Sequence, residues 1–328
     1  MLERLAFDNV CKLAFNVDPG CLNRIDLVQT GFMRAFDEAT AICSGRFMCA
    51  LPMSWKIKRF LNVGSEKRLR EAIRTVHGFA DEIIRRRLQE NSENGNNKYE
   101  DLLSRFIDND GTLSTELLRD VVISVILAGK DTTSTALSWL FWLLSTNPSV
   151  VKNIRSEVEK IRIRSGKQVG EPFEYEELRD MQYMHAVISE SLRLYPPVPV
   201  DIKACLKNDV LPDGTKVKKG WFILYHAYAM GRMESIWGKD CSEFRPERWL
   251  DEDGLFKPDS SFRFPVFHAG PRICLGREMA YVQMKSIVAN VLEQFDVDVL
   301  GKDKRPDYLL SLTLRIKNGL PVRLKERN

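Results

Sequence analysis

The sequence predicts a mainly α-helical chain with small β-sheets. Three observations carry this. Apolar residues recur at three- and four-residue spacing through most of the first 195 positions, the pattern of helices with one buried face. One run, residues 114–145, is apolar on nearly all sides, as expected of a helix through the middle of a folded protein. After Pro196-Pro197 the period shortens to alternation, the pattern of strands.

Taken in order, residues 2–15 and 27–47 read as amphipathic helices separated by the turn Asp18-Pro19-Gly20. A longer helical pattern covers about 65–89 and stops at the polar tract 91–98, an expected exposed loop and the most mobile part of the chain. Residues 101–108 form a short helix closed by Asn109-Asp110-Gly111. The central run follows and ends before Asn147-Pro148. It is interrupted by Gly129-Lys130-Asp131-Thr132-Thr133, which places an acid and two hydroxyls in the core, where polar groups without partners are costly.

Helices are expected over 148–165, 174–179 and 182–195, and strands over 198–204, 210–217 (around the turn Asp213-Gly214) and 221–225. Residues 245–249 lead into an irregular stretch. From Leu275 onward, Met279, Val282, Ile287, Val288, Val291 and Leu292 return to helical spacing. The tail, 295–324, reads as strands with turns at Gly301 and Asn318-Gly319. There is no internal repeat and no Pro/Gly/Ser-rich linker, so one domain over residues 1–328 is expected.

Of the 328 residues, 44% are hydrophobic, enough to bury a large core. The net charge of +4 is no nucleic-acid footprint, and the clusters 56–59 and 85–87 read as solvated helix faces. The cysteines at 11, 21, 43, 49, 205, 241 and 274 form no CxxC pair or zinc spacing, which favours a reducing compartment. No stretch reaches the length of a membrane span and Met1-Leu-Glu-Arg4 is no signal peptide, so the composition predicts a soluble chain.

The chemistry is concentrated in Phe264-Pro-Val-Phe-His-Ala-Gly-Pro-Arg-Ile-Cys-Leu-Gly276. Cys274 lies between two turn-forming glycines, Gly270 and Gly276, with Phe267 and Arg272 on the approach, in a loop that opens a helix. Unpaired N–H groups and the helix dipole there favour an anion, so a thiolate is stabilised. A thiolate with a cation nearby for a carboxylate and an aromatic beside it suits an axial ligand of haem iron. A lone cysteine is ordinarily a small buried hydrophobe; the combined spacing moves the reading.

Phe267, Gly270, Arg272, Cys274 and Gly276 resemble the cysteine-ligand loop of the cytochrome P450 monooxygenases at all five positions. Glu190-Ser-Leu-Arg193 before Leu194-Tyr-Pro-Pro-Val-Pro199, with Phe244-Arg-Pro-Glu-Arg-Trp249 downstream, keeps that family's order. The resemblance implies the cytochrome P450 fold lacking its N-terminal third: the membrane anchor, the first sheet strands, the substrate-channel loop and a helix that grips the haem propionates. It implies haem b ligated by Cys274, with Arg272 on a propionate and Phe267 beside the sulfur. Lys203 is a further candidate for a propionate, and His268, His185, His226 and His77 are expected to be ordinary polar or interfacial residues, of which only His268 lies near the site.

The resemblance further implies that Glu190, Arg193 and Arg248 form a buried ion network that pins the segment before the Cys loop. Ala128 and Gly129 would leave room for dioxygen beside the iron. Thr132 would bend or loosen the helix by bonding back to a carbonyl and would hold a proton-supplying water, and Asp131 would orient or relay the proton. Val198 and Val200 would contact substrate. Electrons would come from NADPH through NADPH–cytochrome P450 reductase, at the cytosolic face of the endoplasmic reticulum membrane.

Several stretches resemble the plant fatty-acid ω-hydroxylases: the Cys loop, Val210-Leu-Pro-Asp-Gly-Thr215, and Tyr225-His-Ala-Tyr-Ala-Met-Gly-Arg-Met-Glu-Ser-Ile-Trp-Gly-Lys239. That group includes enzymes that oxidise the ω end of jasmonoyl-isoleucine. The expected function is hydroxylation of the terminal carbon of fatty acids. The alternatives are a jasmonoyl-isoleucine ω-oxidase, a haem isomerase or dehydratase that needs no dioxygen, and a truncated non-catalytic product that does not hold haem.

Overall fold

The structure is a computed structural model that describes residues 1–22, 27–47, 49, 51–93, 101–110 and 113–327. Residues 94–98 of the polar tract and Gly111 lie outside the described residues. The chain divides into two compact units, Met1–Ser134 and Thr135–Asn328. Among the described residues no helix is long and apolar enough to cross a membrane.

The first unit is helical: α1 (Leu2–Phe15), α2 (Leu27–Phe47), α3 (Pro52–Leu61), α4 (Gly64–Glu93), α5 (Leu102–Asp110) and the first part of α6 (Thr115–Thr146). Its core joins Phe7, Val10 and Phe15 of α1, Phe32 and Phe36 of α2, Ile83 and Ile84 of α4, and Val122 and Ile126 of α6. Phe32 lies with its ring centroid 5.2 Å from Phe7 and 4.1 Å from Phe79, so the aromatic side chains close this core. The Asp8 carboxylate on α1 accepts from the backbone N–H groups of Cys21 and Leu22, both at 3.0 Å, and ties down the turn that follows the helix.

Helix α3 carries the cluster 56–59, which is an exposed helix face as its charges predict, but the helix's bounds were not legible in sequence. Pro52 at its first turn is set for a helix, but Met53, Ile57, Phe60 and Leu61 are exposed, so no buried stripe announces it. Arg87 corrects the reading of 85–87 as a solvated face. Arg85 and Arg86 are exposed and pair with Glu82, whereas Arg87 is buried, donates to the Phe15 carbonyl at 2.5 Å and pairs with Asp101 at 2.9 Å. Helix α6 is also less uniform than expected. Up to Lys130 only every fourth residue is buried (Leu118, Val122, Ile126, Lys130), with Leu117, Asp120, Ser124 and Ala128 exposed; from Lys130 to Leu144 nearly every residue is buried.

The second unit holds the rest of α6, then α7 (Pro148–Ser165), α8 (Tyr175–Asp180) and α9 (Gln182–Leu194). Strands β1 (Asp201–Ala204), β2 (Asp209–Val210), β3 (Lys216–Val217) and β4 (Phe222–Tyr225) follow. Short helices α10 (Ala227–Met230) and α11 (Glu234–Trp237) precede α12 (Arg277–Gln294). Strands β5 (Phe295–Val299), β6 (Tyr308–Leu310), β7 (Leu314–Ile316) and β8 (Val322–Glu326) close the chain. The strands pair antiparallel as β1–β4, β2–β3, β5–β8 and β6–β7. Trp139 stacks on Tyr195 at 4.1 Å and donates its indole N–H to the Leu314 carbonyl at 2.7 Å, which joins helices and sheet in one core.

The strand expected over 198–204 begins only at Asp201. Pro197 and Pro199 have no N–H for a ladder, and their carbonyls are taken by Leu314 and Tyr228 instead. Val198 and Val200 therefore precede the strand, both partly buried.

His185 gives this unit an acid sensitivity. Its ring lies between Phe256 and Tyr281, 4.0 Å from each centroid. Burial, reinforced by Lys285 and Arg277, holds its pKa down from 6.5 to about 3. Unfolding restores the ordinary value, so between those two pH values the unfolded chain binds more protons and acid favours it. Stability is expected to fall as pH drops below the unfolded pKa, with a slope contribution of up to about 1.4 kcal/mol per pH unit. His185→Phe, which keeps the ring stack, should flatten this slope, measured as denaturant midpoints across that acid range.

Candidate active site

The Cys loop is built from two 3₁₀ turns, Pro265–Phe267 and Gly270–Arg272, that run into α12. The Cys274 N–H donates to the Phe267 carbonyl at 2.8 Å and closes the loop on itself. Gly270 has φ +64°, a conformation that favours glycine. Gly276 caps α12 with φ −89°, an ordinary value, so it corrects the expectation of a second glycine-dependent turn. A Cβ there would lie 4.0 Å from Cys274 Sγ, in normal contact. The Phe267 ring is partly buried, 5.4 Å from the ring of Tyr281.

Of the seven cysteines, Cys274 is the one that is exposed. Burial pushes the Cys21 thiol up to about 12, with Asp8 reinforcing it, and raises Cys11 further for the same reasons, so both are inert. Arg272 is exposed and, among the described residues, forms no ion pair within the chain. Lys203 is engaged, in an ion pair with Asp201 at 2.7 Å.

Glu190, Arg193 and Arg248 come together away from water. Arg193 holds the Glu190 carboxylate with two bonds, 2.7 and 2.8 Å, and Arg248 Nε adds a third at 2.9 Å. The sequence reading missed two further donors, the Trp249 indole N–H and the Arg245 backbone N–H, both at 2.9 Å. Arg193 also donates to the carbonyls of Gly231, Cys241 and Glu243. All five N–H groups of Arg193 and both Glu190 oxygens are therefore used, the condition under which a buried ion cluster is tolerated. The cluster fastens α9 to the segment 231–249 that leads towards the Cys loop.

In the first unit, the Thr132 hydroxyl donates to the Ala128 carbonyl at 2.5 Å within an unbroken α6. Asp131 is buried, and its partner is one that sequence did not single out. Lys130, fully buried, lies 2.5 Å from Asp131 Oδ1 and 2.8 Å from Asp37 Oδ1 of α2. Burial works against the ammonium, but the two carboxylates outweigh it and push its pKa above the ordinary lysine value. The polar interruption of α6 is thus an ion-paired cluster in which one ammonium serves two carboxylates. Gly129 requires a correction. A Cβ at this position would fall 2.5 Å from Val10 Cγ2, so the glycine lets α1 pack close and leaves no open space. Ala128 is exposed.

The model of the cytochrome P450 family matches residues 1–321. The chain belongs to the cytochrome P450 family. Cytochrome P450 CYP94D108 of Paris polyphylla is 52% identical over 328 residues, all of this chain and 65% of that protein. Cytochrome P450 94A1 of Vicia sativa is 46% identical over all of this chain and 63% of its own length. Cytochrome P450 86B1 of Arabidopsis thaliana is 47% identical over all of this chain and 60% of its own length. The chain thus spans somewhat less than two thirds of these relatives. Membership of the P450 family implies a haem held by a cysteine thiolate. The residues present fit one: an exposed thiol on a loop ordered by its own backbone bond, with an exposed arginine two residues before it.

Proposed function

We propose that residues 1–328 form a single catalytic domain of a haem-thiolate monooxygenase that hydroxylates the terminal carbon of fatty acids. The observation that carries this reading is the exposed Cys274 on its closed loop, within a family match over residues 1–321. Haem with a thiolate ligand supplies an oxidant able to break unactivated C–H bonds, with electrons from NADPH passed on by a reductase. Cys274 would ligate the iron and Arg272 would hold a propionate. Phe267, Gly270 and Gly276 would shape the approach to the sulfur. Val198 and Val200 would contact the acyl chain, and the enzyme would work at the cytosolic face of the endoplasmic reticulum membrane.

The chain's own residues manage the proton. Thr132 spends its hydrogen on the Ala128 carbonyl, so its oxygen accepts from a water and orients it. Ala128, small and exposed, leaves the space beside it. Lys130 holds the Asp131 carboxylate, and Asp37, 35% exposed, connects that trio to solvent. Moving a proton by way of Asp131 therefore requires loosening its contact with Lys130. Thr132→Ala should uncouple the reaction: NADPH is still consumed, but product per NADPH falls about tenfold or more, given that a positioned proton donor contributes roughly 10²–10⁴. Peroxide release measured against product checks this, and unchanged coupling removes Thr132 from the mechanism.

The deciding experiment uses the purified chain with haem supplied, reduced under carbon monoxide. A thiolate-type band supports the reading; its absence supports a non-catalytic product. Turnover of a fatty acid and of jasmonoyl-isoleucine side by side, with reductase and NADPH, then separates the two substrate classes. Turnover of either without NADPH and reductase would point to isomerase or dehydratase chemistry.

A further inference from the structure

His268 has the most constrained backbone in the Cys loop. Its φ of 61° and ψ of −169° lie in a region that is essentially reserved for glycine and that a side chain occupies only when its surroundings over-determine it. The residue directly follows Phe267, whose carbonyl accepts the Cys274 N–H. The peptide between Phe267 and His268 thus sets the direction of the bond that closes the loop.

What holds His268 there is its side chain. Its Nδ1 bonds the Tyr225 hydroxyl on β4. That hydroxyl has one hydrogen, and it goes to Asp201 Oδ2 of β1 at 2.7 Å. The phenol oxygen therefore accepts from the imidazole, and His268 carries its proton on Nδ1. Asp201 Oδ2 is itself 3.5 Å from that nitrogen and is paired with Lys203 at 2.7 Å. Asp201 and Tyr225 face each other in the β1–β4 ladder, so the anchor is two adjacent strands and not a mobile side chain.

We propose that His268 is a positioning residue for Cys274: a latch that fastens the Cys loop to the β1–β4 sheet through Tyr225 and Asp201. The strained backbone turns the Phe267 carbonyl towards Cys274, and the imidazole bond keeps it turned. The latch rests on the reading of Cys274 as the iron ligand only for its purpose; its mechanics stand without it.

The test compares His268→Gly, His268→Asn and Tyr225→Phe in the full chain, by amide hydrogen exchange over 264–276 and by the carbon monoxide band after haem loading. Glycine suits the backbone but has no side chain to anchor, so the Cys274 amide should exchange at least about tenfold faster while α9 keeps its protection. Asparagine, strained there as histidine is, offers an N–H close to the position of Nδ1, so it should restore protection. Tyr225→Phe should match His268→Gly, and the double variant should add nothing. In the loosened variants the thiolate-type band should lose intensity in favour of the non-thiolate form.

Protection in His268→Gly equal to or greater than that of the native chain would overturn the latch, because relief of strain would then be all the substitution does. Faster exchange in the variants, with no thiolate-type band even in the native chain, would uphold the latch and defeat the ligand assignment.

Discussion

Cys274→Ser is expected to abolish the thiolate-type band and cut turnover to below about one hundredth. Loss of groups that only support a metal ligand already costs about 10–100-fold, so loss of the ligand itself must cost at least the upper end of that range. An alcohol also lacks the electron donation on which oxygen cleavage depends. The fold should survive. Cys274 is exposed, its side chain supports no core, and the bond closing the loop comes from its backbone N–H. Its unfolding free energy should therefore change by no more than about 0.5 kcal/mol. Unaltered chemistry in a correctly folded Ser variant would refute the assignment.

Glu190→Ala should do the reverse, damaging the fold first. Glu190 is fully buried and accepts five hydrogen bonds, three from guanidinium groups. Removing it leaves Arg193 buried with no counter-charge and Arg248 with only Asp240, at 3.2 Å. Stranding one partner of a buried pair typically costs about 3–5 kcal/mol. That is a large part of the 5–15 kcal/mol by which domains are ordinarily stable. The variant should unfold at much lower denaturant and incorporate little haem, whereas whatever fraction loads should bind substrate normally. Glu190→Gln, which keeps the shape and one acceptor, should lie between. A normally stable, fully loaded alanine variant would show that the arginines find other partners.

The two expectations differ because the sites differ in kind. At Cys274 the structure places one exposed atom; at Glu190 it buries a charge and surrounds it with five donors.

The elements that follow from short-range periodicity were legible in sequence. Helices α1, α2 and α7 start and stop where the apolar spacing and the Pro and Asn residues place them. The spacing of the Cys loop and its position ahead of a helix were legible too, because a loop closed on its own backbone is a local object. Misreadings arose where local pattern and three-dimensional neighbourhood disagree. Beyond the charged face 56–59, the extent of helix α3 hides because its apolar residues face outward. Gly129 looks like empty space in sequence, yet Val10 of another helix occupies that space.

The sequence by itself determined which residue types could do chemistry here and on which elements they sit: a thiol before a helix, hydroxyls and an acid within another, a carboxylate three residues from an arginine. Only the tertiary structure decided who answers them. Lys130 meets Asp37 across 93 positions, Arg87 meets Phe15 across 72, and His268 meets Tyr225 across 43. No periodicity reports such pairings. A buried polar group must find its partner wherever the packed chain brings one, and packing depends on the whole fold.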